Sequence, residues 1–258
     1  MSMIEVTRDA RGVATLLLAR EDKHNALSAD MMSELEAAAI DLAQDETVRV
    51  VVLAAQGKTF CAGGDLAWMR AQFEMDADTR RAESARIATA LGALYALPQP
   101  LIGRIHGNAF GGGVGLASVC DVAIGASGIR MGLTETKLGL IPANIGPYVV
   151  ARMGATRASE VFMSARLFDA DEAVRLNLLS RVVPSDGLDA AVEAEVAPYL
   201  DCAPGAVADA KRLMRALAGP VTQASVEMAI DALAARWDSP EAHEGISAFF
   251  DKRKPSWQ

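Results

Sequence analysis

Stretches that read as strands alternate with stretches that read as helices to about residue 186, and beyond that point only helical periodicity remains. That order predicts an α/β core followed by a helical appendage, because alternating elements share a layered core. Residues 4–7 and 13–18 read as two short strands around a turn at Asp9–Gly12. Ser28 opens a helix with Met31, Leu35, Ala38 and Leu42 on its apolar face. Val48–Leu53 is an apolar run of the kind found in strands covered on both faces. A glycine-containing loop fills Gln56 to Asp65, and a helix is expected to start near Asp65. Residues 78–96 are helical by periodicity and stop at Pro98 and Pro100.

Further strands are expected at Leu101–Ile105, Val122–Ala126, Ile129–Leu133 and Val182–Val183, the last closed by Pro184. Asp169 followed by Glu172 has the spacing of a capping box. The elements are spaced as repeated strand–strand–helix units, with no sequence repeat of fixed period. The predicted organisation is a core over residues 1–190 and a helical region over 191–258, broken at Pro204, Gly219–Pro220 and Pro240.

The formal net charge of −8 argues against nucleic acid as a partner, since phosphate backbones require a basic face. Cys61, Cys120 and Cys202 are odd in number and show no metal or CxxC spacing, so reduced thiols in a cytoplasmic protein are expected. The opening residues lack an apolar run of signal length, and no stretch has the length of a membrane span.

Three motif readings fail on inspection. Gly57-Lys58-Thr59 resembles the end of a phosphate-binding loop, but Val52 stands where that loop needs a glycine. No GxGxxG pattern can be drawn through Gly111–Gly115, and no GxSxG elbow occurs. Two glycine segments remain, Phe60-Cys61-Ala62-Gly63-Gly64-Asp65-Leu66 and His106-Gly107-Asn108-Ala109-Phe110-Gly111-Gly112-Gly113, each after a strand and before a helix. Glycine lets two backbones approach closely, and N–H groups from both segments meeting at one point would make an oxyanion hole.

These segments resemble the crotonase (enoyl-CoA hydratase/isomerase) superfamily: FCAGGDL, HGNAFGGGVGLASVCDVAIGA, MGLTETKLGLIP and EGISAFFDKRKPSW match its motifs in order. With Lys23-His24-Asn25-Ala26-Leu27 the likeness spans nearly the whole chain, to Trp257. It implies a spiral of strand–strand–helix turns with a helical trimerisation tail, in homotrimers or homohexamers. It implies an acyl-CoA thioester as substrate, with no separate cofactor, metal, nicotinamide or flavin. The N–H groups of Gly64 and Gly112 are then the oxyanion donors and Glu135 the acid/base. Coenzyme A is expected against Lys23, Ala26 and Ala62, Gly63, Gly64, Asp65 and Leu66, with Lys252 reaching the nucleotide of a neighbouring subunit.

The family's hydratases usually carry a second carboxylate two residues after the triple glycine, and this chain has Gly115 there. Two explanations stand side by side: room and missing charge beside a branched or carboxylated acyl group, or close helix packing. GGGVGL, AGGDLAWM and GLIPANIGPYVV also resemble a subgroup acting on 3-methylglutaconyl-type thioesters. The expected activity is hydration of an α,β-unsaturated acyl-CoA. The alternatives are double-bond isomerisation by one carboxylate and a non-catalytic acyl-CoA-binding role. Asp65 is expected to cap a helix, His24, His106 and His243 to fill turn or surface roles, and Tyr148 to pack. In isolation Glu135 would read as a surface carboxylate paired with Lys137.

Overall fold

A computed structural model describes residues 2–219, 231, 233, 235 and 239–257. The chain begins with an antiparallel pair, β1 (Ile4–Arg8) and β2 (Val13–Leu18), in the register Ile4 to Leu18. Asp9 makes the turn between them, its Oδ1 accepting from the N–H groups of Arg11 (2.8 Å) and Val13 (3.0 Å). The helix α1 (Ala29–Gln44) follows, its first turn capped by the Ser28 hydroxyl, which accepts from the Met31 N–H. Met31, Met32, Leu35, Ala39 and Leu42 are its buried face; Ala39 takes the place expected of Ala38, which is half-buried.

From here the chain winds in repeating turns. β3 (Val50–Ala55) and β4 (Thr59–Cys61) precede α2 (Leu66–Ala71) and α3 (Ala77–Ala96). β5 (Leu101–Ile105) and β6 (Asn108–Phe110) precede α4 (Gly112–Val119). β7 (Val122–Ala126) and β8 (Arg130–Gly132) precede α5 (Gly146–Met153) and α6 (Ala155–Phe162). β9 (Leu167–Asp169), α7 (Ala170–Arg175) and β10 (Arg181–Val183) complete the winding. β1 and β2, the first strand of each of the next three turns and the final β10 form one sheet, in the order β1-β2-β3-β5-β7-β10, parallel from β2 onward. The second strand of those three turns and β9 form another, in the order β4-β6-β8-β9, with only β8 and β9 antiparallel. All six residues of β3 are buried, as a parallel strand covered on both faces requires. The strand starts at Val50 rather than Val48, because Val48 closes a turn by donating its N–H to the Asp45 carbonyl at 3.0 Å.

Two further differences from the sequence reading have clear causes. The loop expected over 56–65 contains β4, a strand of three residues whose partner β6 lies far along the chain. Asp169 caps α7 by accepting from the Glu172 N–H at 2.9 Å, yet Glu172 does not complete the capping box. Its carboxylate turns to Arg166 (2.8 and 2.9 Å) and Arg175 (2.7 Å), where charge-assisted bonds outcompete one backbone N–H.

The boundary expected at residue 190 falls inside a helix. α8 (Leu188–Leu200) buries Leu188, Val192 and Val196 against β3, β5 and β7, so it belongs to the core. The following α9 (Pro204–Ala216) has no fully buried residue and is tied down by charge. Lys211 Nζ lies 2.6 Å from Asp121 Oδ2 and Arg215 2.7 Å from Asp121 Oδ1, with the Arg215 guanidinium 3.7 Å over the Tyr95 ring. Pro204 and Pro240 begin helices as expected, the latter opening Pro240–Phe250, while the break at Pro220 lies outside the described residues.

Candidate active site

Between β4 and α2 the chain runs without regular structure, and backbone pairing with the loop 24–27 holds it. The Ala62 N–H donates to the His24 carbonyl (3.0 Å), Leu27 N–H to Gly63 (2.7 Å) and Asp65 N–H to Leu27 (3.0 Å). The second glycine segment lies directly against this one. Gly63 has φ +98°, and a Cβ there would stand 3.0 Å from the Phe110 carbonyl oxygen. At Gly113 a Cβ would be 2.4 Å from the Cys61 carbonyl oxygen, closer than any side chain can sit. Backbone therefore touches backbone only because both positions lack a side chain.

This contact sets two N–H groups on adjoining chain. Gly112 is the first residue of α4, where helical geometry leaves the N–H without a partner. At Gly64 the pairing with Leu27 uses the bonds on either side and passes over the Gly64 N–H. Among the described residues neither N–H has an acceptor.

Glu135 follows β8 at the start of a single 3-10 turn, Glu135–Leu138. Its Oε1 lies 3.0 Å from where a Cβ on Gly111 would be, and that same point is 3.8 Å from the Gly63 Cα. Gly63, Gly111, Gly112 and Glu135 thus adjoin one another. The Glu135 Oε2 is enclosed and has no hydrogen-bond partner among the described residues. Burial pushes the Glu135 carboxyl above its ordinary value, opposed only by its own backbone N–H. No ion pair with Lys137, which is exposed, occurs among the described residues, so the surface reading of Glu135 does not hold.

Asp65 caps α2, its Oδ1 accepting from the N–H groups of Ala67 (2.8 Å) and Trp68 (3.0 Å) while Arg20 pairs with Oδ2 at 2.8 Å. Burial alone would raise this carboxyl; the Trp68 N–H and the Arg20 guanidinium outweigh it and hold it below the usual range. Lys23, Ala62 and Leu66 are exposed around this loop, Ala26 is buried within it, and Gly64 is half-buried. Lys252 sits far along the chain, in a turn beside Arg253, which pairs with Glu244 at 2.7 Å. Within the single chain the contacts of that tail run to Glu244, Arg49 and Asp201.

The space left by Gly115 is filled. A Cβ there would meet Ile145 Cγ2 at 2.6 Å and Leu91 Cδ1 at 3.0 Å, both buried side chains. Close packing of α4 against α3 and α5 accounts for this glycine, and no extra room for a substrate arises from it. Tyr148 packs 5.5 Å from Tyr95 and donates its hydroxyl to the Ala88 carbonyl at 3.0 Å. His24 meets the Thr59 hydroxyl (3.2 Å) and His106 the Gly57 carbonyl (2.9 Å), both turn contacts. The sequence reading missed Trp68 and Met69, which cover Gly64: its absent Cβ would lie 3.2 Å from the Met69 sulfur and 3.7 Å from the Trp68 ring. Helical spacing from the Asp65 cap was the signal available, since residues three and four later turn back over the cap. A separate groove of about 530 Å3, lined by Thr15, Leu17, Arg104 and Glu193 among others, includes none of these residues. No metal-binding cluster occurs among the described residues, nor a helix long and apolar enough to cross a membrane.

Free N–H donors beside a desolvated, unpartnered carboxylate are the parts of an enzyme that holds a developing oxyanion and moves a proton. The chain belongs to the enoyl-CoA hydratase/isomerase family, which it matches over residues 8–258, and it is an enzyme of hydratase or isomerase type. A putative enoyl-CoA hydratase of Thermus thermophilus is 33% identical over 245 residues, covering 94% of this chain and 96% of the relative. A probable enoyl-CoA hydratase of Mycobacterium tuberculosis is 36% identical over 202 residues, covering 78% of this chain and 76% of that protein. The crystal structure of an enoyl-CoA hydratase from Shewanella pealeana superimposes with a TM-score of 0.94 at 36% identity, covering 99% of this chain and 96% of that one.

Proposed function

We propose that this chain is a lyase that adds water to an α,β-unsaturated acyl-CoA thioester through an enolate. The observation that carries the reading is the Glu135 carboxylate, enclosed beside Gly111 with no partner for Oε2 and adjoining the Gly64 and Gly112 segments. Glu135 takes a proton from water as the water oxygen bonds to the β-carbon. The electron pair moves onto the thioester oxygen, which the Gly64 and Gly112 N–H groups hold; one such donor contributes ~3–4 kcal/mol to the transition state. The protonated Glu135 then delivers its proton to the α-carbon. The N-terminal dipole of α4 acts in the same direction as the Gly112 donor.

Coenzyme A enters as part of the substrate, against Lys23, Ala26 and Ala62–Leu66, and the chemistry needs no further cofactor. Lys252 of a neighbouring subunit reaching the nucleotide, a homotrimer or homohexamer built through residues 191–258, and a cytoplasmic setting complete the reading. A branched or carboxylated acyl group of the 3-methylglutaconyl type is supported by absent charge rather than by space. Position 115 carries no carboxylate to repel a substrate carboxylate.

Double-bond isomerisation is the second reading, favoured by the glycine at position 115, because it needs only one carboxylate. Absorbance assays with crotonyl-CoA, 3-methylglutaconyl-CoA and a 3-enoyl-CoA separate the two. Loss of 2-enoyl absorbance that Glu135→Gln abolishes supports hydration. Conjugated absorbance gained from the 3-enoyl substrate alone makes the chain an isomerase. Binding of all three thioesters without turnover defeats both and leaves an acyl-CoA-binding role.

A further inference from the structure

The segment carrying Gly64 has no helix or strand of its own between Cys61 and Leu66, so its position depends on what it is bonded to. Those bonds run to the loop 20–27, and the centre of that loop is Asn25. Asn25 is fully buried and left-handed at φ 53°, and the exposed His24 before it is also left-handed. Asparagine tolerates that conformation better than most residues with a side chain. Its Oδ1 accepts from the Arg20 N–H (3.0 Å), and its Nδ2 donates to the carbonyls of Gln56 and Thr59 (both 2.9 Å). The backbone N–H of Asn25 donates back to the Arg20 carbonyl at 2.9 Å. One acceptor and two donors on one short side chain is the inventory of a carboxamide.

The two carbonyls that Asn25 grips flank the entry to β4, which leads into the Gly64 segment. The residues beside Asn25 grip the far end: His24 accepts from Ala62, and Leu27 bonds Gly63 and Asp65. Leu27 also packs beside Gly112, since a Cβ there would lie 2.6 Å from Leu27 Cδ1. The loop that Asn25 locks therefore adjoins both donor residues, Gly64 through backbone pairing and Gly112 through the Leu27 side chain.

We propose that Asn25 is a positioning residue of the oxyanion hole, setting the placement of the Gly64 and Gly112 donors without touching substrate. The proposal rests on reading those two N–H groups as the oxyanion donors. Its chemistry is geometric: misplacing a preorganised donor weakens it in the transition state more than in the ground state.

The test compares wild type, Asn25→Ala and Asn25→Asp by turnover of crotonyl-CoA and by the infrared carbonyl stretch of bound butyryl-CoA. Wild type should lower that stretch relative to free thioester. In Asn25→Ala kcat should fall roughly 10–100-fold, with KM changing less, and the stretch should return toward its solution value. Asn25→Asp keeps the acceptor and, when protonated, restores one donor, so it should lose less and recover as pH is lowered. A folded, thioester-binding variant with wild-type kcat and wild-type stretch overturns the proposal. So does a loss of thioester affinity with the stretch unchanged in the bound fraction. Should Asn25→Ala fail to fold, Asn25→Asp and its pH profile decide. Absence of any shift in wild type would instead sink the oxyanion reading itself.

Discussion

Replacing Glu135 by glutamine exchanges one carboxylate oxygen for an amide nitrogen at a site where Oε2 is enclosed and unpartnered. Two effects of opposite sign follow. Glutamine cannot accept and return a proton, and a positioned acid/base contributes about 10²–10⁴ in rate, so kcat should fall by that factor while thioester binding persists. Stability should rise. Burial lifts this carboxyl above its ordinary value of 4.5, so the folded chain keeps the proton to a higher pH than the unfolded chain does. The wild type therefore loses stability as pH rises from about 4.5 through the raised folded value. An unsatisfied buried polar group costs about 1–3 kcal/mol, and because glutamine keeps a polar head the gain should be near the lower end, about 1 kcal/mol. For a chain of this size that is roughly 2–4 °C in Tm. Thermal unfolding of both proteins from pH 4 to pH 8, with turnover measured in parallel, reads both effects. The variant should match wild type at the acid end and exceed it above. A variant less stable at pH 8, or a gain independent of pH, would refute the claim that the folded site desolvates this carboxylate.

Four further outcomes follow from the same geometry. Asp65→Ala removes the α2 cap and strands Arg20, costing about 1–2 kcal/mol in denaturant melts. Asp65→Asn should flatten the acid limb of the stability profile, because Asp65, held below its usual range, loses its contribution as pH falls through the folded value. Burial pushes the Cys61 and Cys120 thiols up to about 12 while Cys202 is exposed, so a thiol reagent should titrate one group rapidly and all three only after denaturation. Gly115→Ala forces a Cβ onto Ile145 and should cost about 1–3 kcal/mol, partly recovered in the double variant with Ile145→Val. Additive effects in that cycle would deny the contact.

The elements most legible in the sequence were those whose signal is local. Ser28, Asp65 and Asp169 each cap the helix they precede, and each is a short polar acceptor placed before a helical run. The motifs pointed to Gly64, Gly112 and Glu135, and the structure sets Gly63, Gly111, Gly112 and Glu135 against one another. What stayed hidden depends on partners distant in the chain. β4, β6 and β9 are three residues each, too short for a periodicity, and exist only through pairing with one another and β8. Asn25 stood in the sequence only as part of the Lys23–Leu27 match; its amide meets Gln56 and Thr59, both distant in the chain. Gly115 read equally well as pocket or packing, and only the position of Ile145 separates the two.

In the proposed mechanism Glu135 alone both takes and gives the proton, and this makes hydration and isomerisation distinguishable by where the proton originates. In hydration Glu135 is charged from the attacking water, so in deuterium oxide every product molecule should carry deuterium at the α-carbon. In isomerisation Glu135 removes the α-proton of a 3-enoyl thioester and returns it to the γ-carbon. The enclosure of Oε2 slows exchange of that proton with solvent before it is returned. Some substrate-derived hydrogen should then appear at the γ-carbon even in deuterium oxide. Mass analysis of products from both reactions reads the difference directly. Full deuteration of the isomerised product would mean that the carboxyl exchanges faster than it transfers, which contradicts a shielded Glu135. A hydration product with two protium atoms at the α-carbon would mean that the added hydrogen comes from a group shielded from solvent rather than from water-charged Glu135.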